Sequence, residues 1–295
     1  MKKLNLLIFF LLMQSLSYAQ LNSLGSMYFQ NRYLANPAMA GTIPGFELNG
    51  GYKAQWTKID DAPVLSAVTA TYGLPSERVG LGLIFYSDKA GAIQQVQTKI
   101  TYAYHIPLNA SESYLDFGLS AGLMDQSIDF DRINADFEDQ VLYAFNKQRA
   151  YFDGDLGVAL RKDQLTVEGV IPNLRRFLKR DDLRRLSERN TFLASVSYKF
   201  LSNGQSVSGI EPRLVYRGLE NFGDILDLAL NLGFASDKLT VNSVYHSTGN
   251  FTFGIGATYA NSLSILAQYT TNTSALRRYT NGEFEVGLRY RFLNR

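Results

Sequence analysis

The two histidines are the side chains best suited to acid–base chemistry at neutral pH. His105 falls on the inner face of a predicted strand, beside Lys99 and Thr101. His246 is followed by Ser247 near a strand end, and this is the only place in the sequence that resembles a histidine–serine pair. Adjacent residues on a strand point to opposite faces, so this pair is badly placed to act as base and nucleophile. No hydrolase motif surrounds either histidine, and we assign no catalytic residue.

A run of acidic residues suggests calcium chemistry, because carboxylate oxygens are the ligands that Ca²⁺ prefers. The run DQSIDFDRINADFEDQ begins at Asp125 and contains Asp129, Asp131, Asp136, Glu138 and Asp139. It lacks the central glycine and the closing glutamate of an EF-hand loop. We therefore predict a solvated loop over residues 125–139, with structural calcium as the alternative. No other metal and no cofactor is expected.

A second loop is strongly basic and reads NLRRFLKRDDLRRLSERN. Its cationic side chains include Arg175, Arg176, Lys179, Arg180, Arg184 and Arg185. Such a cluster attracts phosphates and acidic surfaces. We predict that this loop contacts lipopolysaccharide phosphates or an acidic partner, with an ordinary solvated loop as the alternative. The net charge of the 295-residue chain is only +2, which argues against nucleic-acid binding.

The elements that carry these residues are predicted to be β-strands. In FTFGIGATYA, Phe251, Phe253 and Ile255 share one face, and threonines and glycines share the other. The same period of two recurs from Gly45 onward in roughly fourteen runs of about nine to eleven residues, the length that a tilted strand needs to cross a bilayer. Only 19% of the residues are charged and none is a cysteine, which excludes disulfides and thiolate metal sites.

Short and long connections alternate strictly between these runs, as in outer-membrane barrels with short periplasmic turns and long extracellular loops. Among the predicted long loops are WTKIDDAP, SDKAGAIQ and the two charged loops. We predict an all-β fold, a transmembrane antiparallel β-barrel of about fourteen strands. A soluble β-sandwich is the alternative, but it has no reason to keep its long loops at one end.

Charged side chains fall on the predicted inner faces of the strands, where a polar lumen can pair them. They are Glu47, Lys53, Lys99, Asp155, Arg161, Lys199, Glu211, Arg213, Arg217, Asp227, Glu283, Glu285, Arg289 and Arg291. The last four alternate with apolar residues in EFEVGLRYRF, the final predicted strand. If that strand closes onto the first one, Glu47 and Lys53 gain partners of opposite charge.

The first nineteen residues have the layout of a secretory signal peptide. Lys2 and Lys3 precede an apolar run that is too short to span a bilayer, and Ala19 provides a cleavage position. We therefore expect three parts: a signal peptide at 1–19, an amino-terminal periplasmic or plug segment at 20–44, and the barrel at 45–292. The second part either docks a partner in the periplasm or folds into the lumen.

Several motifs resemble, in order, those of the PorP/SprF family of Bacteroidota outer-membrane proteins. They are YFQNRYLANPAMAG, GYKAQWTKIDDAP, VGLGLIFYSDKAG, YAYHIPL, LDFGLSAGLMDQSIDF, LGVALRKDQLTVEGVIPNL and FEVGLRYRF. The resemblance covers essentially the whole chain after residue 19. Met39 stands where the family usually has an aromatic residue. The motif positions that the resemblance marks as candidate partner contacts are Asn36, Pro37, Ala38, Gly41, Gln55, Trp56, Asp88, Lys89 and Gly91.

The resemblance implies a non-enzymatic anchor or adaptor in type IX protein secretion or gliding motility. It implies two protein partners besides the outer-membrane lipids. One is a periplasmic lipoprotein or OmpA-like peptidoglycan-binding protein, and the other is a secreted adhesin with a type IX sorting domain. A passive porin or small-solute channel is the second hypothesis, and an outer-membrane hydrolase is the third. Location in the outer membrane follows from the barrel and the exported amino terminus.

Overall fold

The computed structural model describes residues 27–56, 61–108, 113–129, 150–175, 190–202, 206–219, 223–272 and 281–292, and these are nearly all β-structure. The strands are β1 Gly45–Gln55, β2 Val64–Gly73, β3 Val79–Ala90, β4 Ile93–Pro107, β5 Ser113–Ile128, β6 Ala150–Lys162, β7 Leu165–Ile171, β8 Asn190–Tyr198, β9 Phe200–Leu201, β10 Val207–Leu219, β11 Ile225–Phe234, β12 Leu239–His246, β13 Asn250–Tyr259, β14 Leu263–Thr270 and β15 Glu283–Phe292. The predicted signal peptide lies outside the described residues.

The strands form one closed antiparallel barrel. Each strand pairs with its sequence neighbours, and β15 closes the ring by pairing with β1 from Phe292↔Phe46 to Glu283↔Gln55. The strands β8 and β9 both pair with β10, so they occupy a single strand position that is interrupted at Lys199. The barrel therefore has fourteen strand positions, which confirms the predicted fold. We call the end where β1 begins the turn end, and the opposite end the loop end.

The period-two alternation separates an apolar outer wall from a polar lumen. Outward side chains such as Ile100 (68% exposed), Phe152 (64%) and Ile255 (63%) form a continuous apolar surface. Aromatic rings pair on this surface at the turn end, with Phe46 and Phe292 centroids 5.2 Å apart. Burying such side chains in hydrocarbon removes them from water, whereas the charges on the other face remain inside. The alternation thus sets the orientation of every strand.

One predicted loop is wrong. The segment SDKAGAIQ was predicted as a long loop, but β3 and β4 continue through it and pair as far as Ala90↔Ile93. Only Gly91 and Ala92 connect the two strands, and Gly91 has a φ of 59°. A two-residue hairpin turn requires positive φ, which glycine adopts without steric cost. This hairpin therefore replaces the loop.

Two short helices precede β1. The α-helix α1 spans Arg32–Ala35 and is capped by the Asn31 side chain, which accepts a hydrogen bond from the Leu34 amide. The 3-10 helix Pro37–Met39 is capped in the same way by Asn36, which accepts from the Ala38 amide at 2.9 Å. Within the described part of the chain, no helix is long and apolar enough to span a membrane.

Candidate functional site: the plugged lumen

The segment Met27–Gly41 lies inside the barrel, and we call it the plug. It enters at the turn end, where Gly41 lies against Gly73 and Gly80, and rises to Met27 beside Gly51 and Gly287. Because Gly51 and Gly287 face each other midway along β1 and β15, the plug reaches at least the middle of the lumen.

The upper part of the plug is anchored by Tyr28. Its hydroxyl donates a hydrogen bond to Asp227 Oδ2 at 2.6 Å, and its carbonyl accepts one from Arg213 Nη1 at 2.9 Å. The Tyr28 side chain also packs on an apolar cluster that includes Val215 and Val244. Burial raises the pKa of Tyr28 above its usual range, so the phenol stays protonated and acts as a donor.

Asp227 connects the plug to the barrel wall. Besides Tyr28, its carboxylate accepts from Arg217 at 2.8 Å and from His246 Nδ1 at 2.7 Å. The other histidine nitrogen lies 2.8 Å from the Thr252 hydroxyl. This Asp–His–Thr order has the connectivity of a hydrolase triad. However, Thr252 is fully buried and also contacts the Thr270 hydroxyl, so no substrate can reach its oxygen.

The middle of the plug makes three further polar contacts with the wall. Asn31 Nδ2 donates to the Thr69 hydroxyl at 3.0 Å, and the Tyr33 and Thr101 hydroxyls are 2.6 Å apart. Arg32 forms an ion pair with Glu211. Burial also raises the pKa of Tyr33. These contacts reach β2, β4 and β10, so the plug bridges opposite sides of the barrel.

The lower part of the plug fits against glycines. The backbone of Pro37 and Ala38 lies so close to Gly118 that a Cβ added to this glycine would collide with the backbone. In the same way, a Cβ added to Gly157 would collide with Asn36 Oδ1. Asn36 Nδ2 also donates to the Val158 carbonyl at 3.3 Å. These contacts place Asn36, Pro37 and Ala38 against β5 and β6 at the turn end.

The residue after the 3-10 helix is held by His105. Its Nε2 donates to the Ala40 carbonyl at 3.1 Å, and its Nδ1 lies 2.7 Å from Asp116. Arg161 Nε also donates to Asp116 at 2.6 Å. Since His105 lies between the plug carbonyl and a wall carboxylate, it has a structural partner on each side. No further group is placed there for catalysis among the described residues.

Three further ion pairs join strands of the wall inside the lumen. Lys53 pairs with Glu283 at 2.7 Å, and Arg291 pairs with Glu47 at 2.5 Å. Both pairs join β1 to β15, which confirms the prediction that closure provides these charges with partners. Lys99 pairs with Asp155 at 2.8 Å. The described lumen is therefore cross-linked by charges of both signs.

A cavity of about 350 Å³ remains at the turn end, between the plug and strands β10–β15. We call it the vestibule. Phe29 and Gln30 line it from the plug, and the wall contributes Lys199, Glu211, Asp237, Arg289 and Arg291 together with amides and hydroxyls. It exists because the 3-10 helix packs on the opposite wall, against β4, β5 and β6.

Comparison with known proteins identifies the chain. The sequence profile of the family described as type IX secretion system membrane protein PorP/SprF matches residues 17–290. The chain belongs to this family. No curated protein sequence matches it. Together with the barrel fold, family membership places the chain in the outer membrane.

Two solved structures show how widely the architecture is shared. The Acinetobacter baumannii outer membrane protein Omp33 is similar with a TM-score of 0.51 and 9% identity, over 85% of this chain and 100% of that chain. The CymD monoaromatic hydrocarbon channel is similar with a TM-score of 0.52 and 9% identity, over 92% of this chain and 94% of that chain. At such low identity these likenesses show the fold alone.

The family-motif residues divide between the two ends of the barrel. Asn36, Pro37, Ala38 and Gly41 lie in the plug at the turn end. The others lie at the loop end: Gln55 donates to Glu283, the Trp56 amide donates to the Gly282 carbonyl, Asp88 and Lys89 belong to β3, and the Gly91 amide donates to the Asp61 carbonyl. The structure therefore does not bring the nine residues into one site.

The two charged loops are described only at their edges. Arg175 lies over the Tyr151 ring, 4.5 Å from its centroid, and its amide donates to Asp153. The other predicted basic contacts, Arg176, Lys179, Arg180, Arg184 and Arg185, lie outside the described residues. Most of the acidic run does too, from residue 130 to residue 139. The described residues contain no cluster of three or more metal-ligating side chains.

The sequence analysis missed the plug contacts that matter most, those of Tyr28, Arg32 and Tyr33. A signal for them exists in the strands. Glycines recur on inner faces, where a polar lumen would favour larger side chains, and five of them lie against the plug: Gly51, Gly82, Gly118, Gly157 and Gly287. Inner-face glycines mark close approach of another part of the chain.

Proposed function

We propose that the protein is a closed, non-enzymatic anchor or adaptor of type IX protein secretion or of a gliding adhesin. The observation that carries this proposal is the plug, which is hydrogen-bonded to Asp227, Thr69 and Thr101 on separate strands. A segment tied to the wall in this way obstructs the lumen instead of leaving a water-filled channel. A closed barrel presents two surfaces, one at each membrane face, and can act by binding.

The partners follow from family membership and from the two ends of the barrel. The turn end is proposed to face the periplasm and to bind an OmpA-like peptidoglycan-binding protein or a lipoprotein. The loop end is proposed to face outward and to bind a secreted adhesin with a type IX sorting domain. Export by the predicted signal peptide is part of the proposal. No chemistry on a substrate is part of the proposal.

Conductance separates this proposal from a passive porin. The purified wild-type protein should give no stable open pores in planar bilayers, whereas a variant lacking residues 21–39 should conduct. The vestibule supports the porin alternative, because it leaves one side of the turn end unfilled. Stable wild-type pores would establish the porin and remove the closed adaptor.

Affinity purification from outer membranes in mild detergent tests the adaptor role itself. The tagged wild-type protein should bring down one periplasmic and one secreted partner of the stated kinds. The variant lacking residues 21–39 then assigns the periplasmic contact. If this variant inserts normally but loses its periplasmic partner, the plug docks that partner; normal capture means that the plug only seals the barrel.

The basic loop is proposed as a contact at the loop end, with lipopolysaccharide phosphates or an acidic partner as its ligand. Glutamate substitutions at Arg175, Arg176 and Lys179 reverse its charge. These substitutions should weaken either the retention of the protein in the outer membrane or its binding to the acidic partner. Retention and partner capture equal to those of the wild type would remove this contact from the proposal.

A further inference from the structure

Among the described residues that line the vestibule, one cation has no carboxylate partner. Lys199 pairs with Asp237 at 2.9 Å, Arg291 pairs with Glu47, and Arg32 of the plug pairs with Glu211. Arg289 forms no ion pair with any described carboxylate. Its Nη2 donates to the Ser264 hydroxyl at 3.0 Å, its Nη1 lies 3.4 Å from the Gln30 carbonyl, and its Nε has no acceptor.

A guanidinium without an ion-pair partner in a half-open cavity is available to an anionic ligand. Arg289 is partly buried, so a negatively charged oxygen that reaches its terminal nitrogens gains a charge-assisted hydrogen bond. One uncompensated positive charge matches a carboxylate, which carries one negative charge, better than a phosphate monoester, which carries up to two. Arginine also recognises carboxylates with a favourable planar geometry.

The rest of the lining fits a peptide. Asn231 and Thr240 offer polar groups of the kind that bind backbone amides, and Phe29 and Leu266 offer apolar surface. The cavity volume of about 350 Å³ lies within the range of ligand pockets, about 300–1,000 Å³. Turn residues Ser236 and Asn261 line its rim, so a chain can enter from the turn end.

We propose that the vestibule binds an acidic, extended peptide segment, with a side-chain carboxylate of that segment on Arg289. The inference deepens the proposed adaptor function and rests on it, since the segment would belong to the periplasmic partner. The vestibule would then be the specific contact at the turn end. The plug forms one wall of this site through Phe29 and Gln30, and the barrel forms the other.

Peptide binding can be measured by fluorescence anisotropy on the full chain in detergent. The probe is a fluorescein-labelled Gly-Glu-Gly-Glu-Gly peptide, and the matched control probe carries glutamine in place of glutamate. A hydrogen-bonded charge contributes enough that the acidic probe should bind the wild type about tenfold more tightly than the glutamine probe. Equal affinity for the two probes would overturn the proposal.

Variants locate the binding in the vestibule. Arg289→Gln should weaken binding of the acidic probe about tenfold, and Arg78→Gln, an exposed arginine at the same end but outside the vestibule, should leave it unchanged. Asp237→Asn removes an exposed carboxylate and should tighten binding up to about fivefold. This second variant keeps the test decisive if Arg289→Gln fails to fold. Unchanged affinity in both Arg289→Gln and Asp237→Asn would also overturn the proposal.

Partner capture is scored separately. If wild-type protein and Arg289→Gln capture the same periplasmic partner equally, the vestibule is not the docking site although the adaptor function stands. If the wild type captures no partner, the adaptor function fails, and the peptide titration alone decides whether the vestibule binds carboxylates.

Discussion

At the scale of single residues, a few buried polar side chains decide how the plug is held. Asp227 accepts hydrogen bonds from Tyr28, Arg217 and His246 and is completely buried. A buried carboxylate is tolerated only when its oxygens are fully hydrogen-bonded. Tyr28 therefore donates one of the hydrogen bonds that the buried Asp227 carboxylate needs, and the same hydrogen bond holds the plug against the wall. The tyrosines Tyr28 and Tyr33 link the plug to the wall through protonated hydroxyls.

Their ionisation predicts how docking of the plug depends on pH. Burial raises the pKa of Tyr28 and Tyr33, whereas the undocked plug exposes them with a pKa of about 10. The undocked state loses protons first as pH rises, so the stabilisation by these phenols is complete below about pH 10 and decreases above it. Subtilisin cleavage of the plug should accelerate between pH 9 and 11.

The double variant Tyr28→Phe/Tyr33→Phe should flatten this pH dependence, although its plug is released more readily at every pH. Tyr259→Phe is the control, because this side chain is 78% exposed on the outer surface. It should behave as the wild type. If the wild type and the double variant share one pH slope, other groups control docking.

At the scale of elements, the plug and the strands are matched in shape as well as in polarity. The 3-10 helix Pro37–Met39 lies on the inner faces of β4, β5 and β6, where small residues leave room for its backbone. Gly118 and Gly157 are the positions of closest approach. The plug therefore occupies a groove that the strand sequences provide, and this groove is specific to one side of the barrel.

A side chain added at Gly118 should displace the plug. Gly118→Val places atoms where the Pro37 and Ala38 backbone lies, and overpacking costs about 1–3 kcal/mol. Because proteolysis follows the population of the open state, trypsin cleavage after Arg32 should become roughly tenfold to a hundredfold faster. Mass spectrometry of the released fragment identifies this cleavage.

Gly50→Val is the matched control for that variant. A Cβ at Gly50 in β1 meets no atom within 4 Å, so the substitution adds the same volume without a clash. Both variants should migrate as folded barrels in unheated gel samples. Slow cleavage of Gly118→Val, equal to that of Gly50→Val, would show that the plug does not depend on this contact.

At the scale of the whole molecule, the barrel was predictable and the plug contacts were not. Strand alternation is local, so runs such as EFEVGLRYRF reveal their inner and outer faces without any knowledge of partners. The pairing of β1 with β15, which we call the seam, was predictable because a barrel closes only when its two end strands meet. The contact between Tyr28 and Asp227 joins residues 199 positions apart, and no local pattern marks it. The hairpin at Gly91 was missed because SDKAGAIQ does not alternate.

A buried ion pair at the seam should contribute strongly to the stability of the closed barrel. The side chains of Lys53 and Glu283 are only 2% and 4% exposed, and they join the first strand to the last. Lys53→Met leaves the Glu283 carboxylate buried without its ammonium partner, which should lower the free energy of unfolding by about 3–5 kcal/mol. Urea unfolding in detergent micelles measures this loss.

The double variant Lys53→Met/Glu283→Gln removes the orphaned charge and should recover most of the loss, because the penalty comes from the unpaired carboxylate and not from the absence of an ion pair. Lys199→Met provides the comparison at an exposed pair. Lys199 and Asp237 are 41% and 47% exposed, so breaking their contact should cost about 0–1 kcal/mol. Equal losses for Lys53→Met and Lys199→Met would mean that burial at the seam contributes nothing to closure.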